Sequence, residues 1–159
     1  LGRLVEVVAH LSTQDAAQAS ERGGIMIATP TWSGTAQINL GHIGGAIKVA
    51  FQGKQIGGSY LTPAAVAVAD PATGVWVRLA IDPAGWARAW YALAGVGAPP
   101  AADGWTALGT GSNLLTTSSA RLHHVGVDVM GDRAAPNTGF RIDVGFLSIE
   151  APLAASPSP

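Results

Sequence analysis

Residues 74–109, GVWVRLAIDPAGWARAWYALAGVGAPPAADGWTALG, decide the fold class. Val75, Val77, Leu79 and Ile81 fall on one side of a period-two ribbon, while Trp76, Arg78, Ala80 and Asp82 fall on the other. That alternation is the mark of a half-buried strand. Asp82-Pro83-Ala84-Gly85 supplies a reversal, because proline fixes one φ and glycine permits a positive one, and residues 86–93 read as the return strand of a hairpin. Residues 94–103, rich in Gly, Pro and Ala, form a loop that hands over to the short strand Gly104-Trp105-Thr106-Ala107-Leu108-Gly109. Two strands alone are marginal in water, so the rest of the sheet must pair around this ribbon.

Working outward, the same alternation recurs. Residues 4–11 make a first strand, 12–22 a polar loop, and 23–28 a strand that ends at Thr29-Pro30 because proline cannot donate to a ladder. Thr31-Trp32-Ser33-Gly34 is a turn, followed by Ala36, Ile38 and Leu40 on one face and, after Gly44-Gly45, by Ile47, Val49 and Phe51. Residues 56–61 and 64–69 read as two weak strands separated by Pro63, and 70–74 as a turn. Beyond Gly109, strands are expected at 112–118, 121–130 and 140–150, the last with a slip near Leu147-Ser148, and a loop at 131–139. Many short strands with turn residues at close intervals predict an all-β fold without substantial helix, an antiparallel sandwich or barrel, of which the two-sheet sandwich is the expectation.

The chain of 159 residues suits one domain, assigned to residues 1–150, with the Pro/Ser/Ala-rich 151–159 as linker or tail. It starts at Leu1 without an initiator methionine, which reads as a piece of a longer polypeptide. Cysteine is absent, so disulfides and thiolate metal sites are excluded. A net charge of −1 with no basic cluster argues against nucleic acid as a partner. The 48% hydrophobic fraction is inflated by alanine and no uncharged run approaches a spanning length, so membrane insertion is not expected.

The strand bearing Trp76, Arg78 and Asp82, the return strand ending near Trp90-Tyr91, and the Asp103-Gly104-Trp105 to Leu108-Gly109 segment together resemble the concanavalin A-like, laminin-G-like jelly-roll domains in minor tail proteins of actinobacteriophages. The resemblance implies a concanavalin A-like jelly roll and a structural or adhesion module of a virion tail or fibre. Such a module would contact other virion proteins, assemble as a homo-oligomer such as a trimer, and meet a host cell-surface glycan. Laminin-G-like domains often hold calcium at a loop rim, and here Asp132 and Asn137 would offer oxygen ligands. The ordinary alternative is a solvated loop in which Asp132 pairs with Arg133 or Arg141.

Catalysis on this fold would rest on acids. A glycosidase on this fold requires two facing carboxyl groups, and the nearest candidates along one strand, Asp128 with Asp132 and Asp143 with Glu150, are split by a turn or by the slip. The expectation is therefore that the chain is not an enzyme. His123 and His124 are neighbours whose rings point to opposite faces of a strand, and with His10 and His42 they read as ordinary histidines. The aromatics are the candidates for binding, because flat indoles stack on the C–H faces of sugar rings. Trp76, Trp86 and Trp90 lie on strands and read as core fillers, whereas Trp32, in a turn, and Trp105, beside the 94–103 loop, are expected to be exposed stacking residues. The alternative to the virion module is a carbohydrate-binding module of a secreted bacterial protein, which would place the chain outside the cell.

Overall fold

The structure is a computed structural model that describes residues 5–14, 21–29, 31–113, 124–130 and 141–150. Among these there are strands and no helix. One sheet contains β1 (Val5–Ser12), β6 (Val75–Ile81), β7 (Trp86–Ala92), β8 (Thr106–Ala107), β9 (Ser112–Asn113) and β11 (Asp143–Glu150), in the order β11-β1-β6-β7-β8, with β9 also on β7. The other contains β2 (Arg22–Ala28), β3 (Thr35–Ile43), β4 (Ala46–Lys54), β5 (Tyr60–Ala67) and β10 (His124–Met130), in the order β10-β2-β3-β4-β5. Every pairing is antiparallel. The sheets stack with β1 against β2 and β6 against β3, so the fold is an all-β jelly-roll sandwich.

The core is the sum of the inward rows. Val5, Val7, Ala9 and Leu11 on β1 and Val75, Val77, Leu79 and Ile81 on β6 meet Ile25 and Ile27 on β2, Ile38 and Leu40 on β3, and Val49 and Phe51 on β4. Each aliphatic side chain closed off in this way contributes about 1.5–3 kcal/mol of burial free energy, which is how a chain with little charge and much alanine holds two layers together. The Gly44-Gly45 turn joins β3 to β4 with φ of 58° and 87°, a two-residue reversal that matches strand twist. The Asp82 turn closes the β6–β7 hairpin as expected: its carboxylate accepts from the N–H groups of Ala84 and Trp86 at 2.9 and 3.0 Å. Before β6, Asp70 accepts from the Thr73 hydroxyl and N–H, which lowers its carboxyl below the usual range.

Three local readings change. Tyr60 to Ala67 is one strand with Pro63 inside it, tolerated because β5 is the sheet edge and the ladder is already irregular between Phe51 and Gly53. The slip on β11 is at Gly145 rather than at Leu147-Ser148: His10 pairs with Phe146 and Leu11 with Val144, leaving one extra residue. The extra residue sends Phe146 to the outer side, where its ring lies 5.2 Å from Trp76. Trp76 is buried, at 1% exposure, but on the outer side of its sheet rather than between the layers, and Trp86 is exposed. The expected strand positions 114–118 and 121–123, the loop 131–139, Phe140 and the tail 151–159 lie outside the described residues.

Candidate functional site

Between β2 and β3 the chain makes a tight turn that is tied to itself. Thr29 N–H donates to the Gly34 carbonyl (3.0 Å), Trp32 N–H to the Thr29 carbonyl (3.0 Å), and Gly34 N–H to the Thr29 hydroxyl (3.1 Å). The Thr31 hydroxyl donates to Ser33 Oγ at 3.0 Å. This bonding holds Trp32 at φ 56°, and among the described residues it is the one non-glycine with positive φ. A bulky side chain in the left-handed region costs roughly 1–3 kcal/mol, so the turn is held against a local preference.

The strain displays an indole. Trp32 is 47% exposed, and one face of its ring is backed by the His124 imidazole, 4.6 Å between centroids and 15° between planes. His124 reaches that position because β10 pairs with β2 in a register that sets it opposite Ala28, next to the turn. The two rings stand at the mouth of a shallow groove of about 270 Å3 that Met26 and Gly126 also line. At Gly126 a side chain would meet nothing within 4 Å, so the groove is open there, between Val125 and Val127.

On the same side of this sheet runs a row of amides. Ala36, Ile38 and Leu40 point inward, so Gln37 and Asn39 point outward, and both are fully buried. Gln37 Nε2 donates to the Tyr60 hydroxyl, Asn39 Nδ2 to Gln52 Oε1 at 3.0 Å, and Gln52 Nε2 to Thr62 Oγ1 at 3.0 Å. The row ties the edge strand, with its half-exposed Tyr60, to the sheet centre. Gln37 Oε1 and Asn39 Oδ1 are buried acceptors with no hydrogen-bond partner among the described residues.

The outer side of the six-stranded sheet is organised differently. Residues 93–104 fold over it: Trp76 Nε1 donates to the Gly95 carbonyl at 3.1 Å, and His10 Nε2 lies 3.0 Å from the Ala94 carbonyl. Arg78 donates to Glu6 from Nε (2.9 Å) and Nη2 (2.8 Å), while its guanidinium carbon lies 4.9 Å from the Trp90 ring and 6.0 Å from the Trp105 ring. Trp105, expected to be an exposed stacking residue, is thus half-buried and engaged. A groove of about 450 Å3 remains under the loop, lined by Trp76, Tyr91 and the loop itself.

Of the two expected stacking residues the structure displays Trp32 and turns Trp105 toward Arg78, and they lie on different sheets. The pairing of Trp32 with His124 was missed, because a stack between distant positions leaves no mark on local spacing. The calcium candidates Asp132 and Asn137 lie outside the described residues. Among the described residues no three His, Asp or Glu side chains cluster as a metal site. Asp143 is held by Arg141 (Nε to Oδ1, 2.7 Å), and Glu150 is the cross-strand register partner of Glu6, a placement that spacing along single strands does not give.

No protein-family model matches the chain, and no curated protein sequence matches it. Solved structures do match in fold. A bifunctional GH43-CE protein of Bacteroides eggerthii superposes with a TM-score of 0.67 at 12% identity, over 95% of this chain and 18% of that one. A xylan β-1,4-xylosidase of Bacillus halodurans gives 0.66 at 13% identity, over 92% of this chain and 27% of that one. The GH43 protein BlXynB of Bacillus licheniformis gives 0.65 at 14% identity, over 93% and 27%. This chain therefore spans about a fifth to a quarter of the solved chains it resembles, and at these identities the likeness is one of fold.

These matches correct the expectation that the chain is not an enzyme. The fold is shared with solved glycoside-hydrolase chains, and acids compared along single strands leave out cross-strand neighbours such as Glu6 and Glu150, which the β1–β11 register sets opposite each other. None of the three matches reported is a bacteriophage protein.

Proposed function

We propose that the chain is a carbohydrate-recognising β-sandwich within a glycoside-hydrolase polypeptide, and that Trp32 is the platform on which it stacks a β-1,4-linked, xylan-type chain. The observation that carries the reading is the Trp32 turn: a strained backbone, four hydrogen bonds that fix it, and an exposed indole backed by a second ring. Backbone strain persists where the surroundings over-determine it, and it concentrates at binding sites. The groove beside Trp32, about 270 Å3, falls below the roughly 300 Å3 at which enclosing small-molecule pockets begin. It suits the flat face of one sugar ring within a longer chain. The carbohydrate class is supported by the company of the fold, since two of the matched structures are GH43 proteins and one is a xylan β-1,4-xylosidase. A polysaccharide of this kind is met outside the cell, so the reading places the protein there. The likeness to phage tail modules contributes nothing to it.

The test is affinity electrophoresis in gels containing xylan, β-glucan or mannan. The wild-type protein is retarded by xylan, and Trp32→Ala, folded by circular dichroism, loses at least tenfold in affinity, about 1.4 kcal/mol. Unchanged retardation of Trp32→Ala would overturn the assignment of the platform, and no retardation by any of the three would overturn the function.

A further inference from the structure

The flank of the sandwich beside the Trp32 platform ends in a strand with one described neighbour. β10 pairs with β2 on one side, and no described residue pairs with it on the other. Its sequence, His124-Val125-Gly126-Val127-Asp128-Val129-Met130, carries a single carboxylate. Val125, Val127 and Val129 continue the inward row of Ile27, Ile25 and Gly23, yet Val127 and Val129 are 45% and 55% exposed. In the other layer β11 lies on the same flank, because β11 neighbours β1 and β1 stacks on β2. There Val144, Leu147 and Ile149, inward by their pairing with Leu11, Ala9 and Val7, are 36%, 42% and 46% exposed. Proteins normally blunt an unpaired apolar edge with lysine, proline or a covering element. Among the described residues no such cover lies over these ends of the two inward rows.

We propose that a second copy of this chain pairs with β10, antiparallel, about a two-fold axis through Val127, joining two five-stranded sheets into one of ten. The sequence is self-complementary in that register. Val127 meets its own copy, Val125 meets Val129, Gly126 meets Asp128 and His124 meets Met130. Each Asp128 faces a glycine, so like charges are not opposed and the valines make one continuous row. The contact is isologous and closes at two copies, which gives the expectation of a homo-oligomer a specific form in place of a trimer.

The arrangement also deepens the carbohydrate reading, and this part rests on it. A two-fold axis perpendicular to the joined sheet keeps both Trp32 platforms on the same outer surface. His124 lies three residues from the axis, so the platforms stand about 20 Å apart at ~3.4 Å per residue. Two weak sites on one rigid sheet hold a single polysaccharide with an apparent affinity roughly 10²–10⁴-fold above either alone.

Because the chain has no cysteine, one introduced thiol reports the contact. Facing Cα atoms of an antiparallel pair are about 4.5–5.5 Å apart, within disulfide range. Val127→Cys is therefore expected to give a covalent dimer on mild oxidation, whereas Val96→Cys, 65% exposed on the 93–104 loop, stays monomeric. In sedimentation the wild type is a dimer and Val127→Lys, which sets two ammonium groups on the axis, a folded monomer. A monomeric wild type, or a dimer that Val127→Lys leaves intact, would overturn the interface. The platform fails separately: a dimer whose xylan binding survives Trp32→Ala would remove the carbohydrate reading and leave the interface standing.

Discussion

The two outer faces of the sandwich use the same residue types for opposite ends. On the six-stranded side tryptophans serve the chain itself: Trp76 pins the 93–104 loop through Gly95, and Trp90 and Trp105 take up the Arg78 guanidinium that Glu6 holds. On the five-stranded side the turn bonds, the positive φ and the stacked His124 together hold the Trp32 indole half-exposed. An aromatic ring that closes over its own loop serves the fold, and one held out against its backbone preference has the exposure that the proposed platform requires. Exposure alone does not separate the two cases, since Trp86 is exposed too, at the end of a turn bonded through Asp82, but without a positive φ.

The sharpest way to break this contrast is Trp76→Ala. Removing a closed-off indole costs about 3–5 kcal/mol, and it also releases the loop, so chemical denaturation should show the loss and limited proteolysis should cut within residues 93–104. A variant that stays within about 1 kcal/mol of wild type would mean that the loop is not held as described. A smaller effect is expected from Trp32→Gly. Relief of the left-handed backbone and loss of a ring stack, each of order 1 kcal/mol, offset one another, so stability measured in the same way changes by about 1 kcal/mol or less while xylan retardation is lost.

The hairpin at the centre of the fold was legible because its signals are local. The row Val75, Val77, Leu79, Ile81 and the Asp82 to Gly85 turn specify a strand and a reversal within a few residues, and all four aliphatics are fully closed off. What could not be read depends on distant pairing. The bulge at Gly145 exists only against His10 and Leu11, and it decides which side Phe146 takes. Trp90 shares a face with Trp86 by simple parity, but that this face points outward follows from the register with Arg78. Pro63 read as a break because sequence does not announce which strand will lie at an edge. Of the candidate site, Trp32 was legible from its Thr-Trp-Ser-Gly turn; its backing ring, His124, was visible only once β10 lay against β2.

Heteronuclear NMR of the indole N–H groups compares both faces in one experiment, because each of the five tryptophans gives its own signal. On titration with xylo-oligosaccharides the Trp32 resonance should shift in proportion to occupancy while those of Trp76, Trp90 and Trp105 stay in place. A shift confined to Trp90 or Trp105, with Trp32 unmoved, would reverse the roles assigned to the two faces.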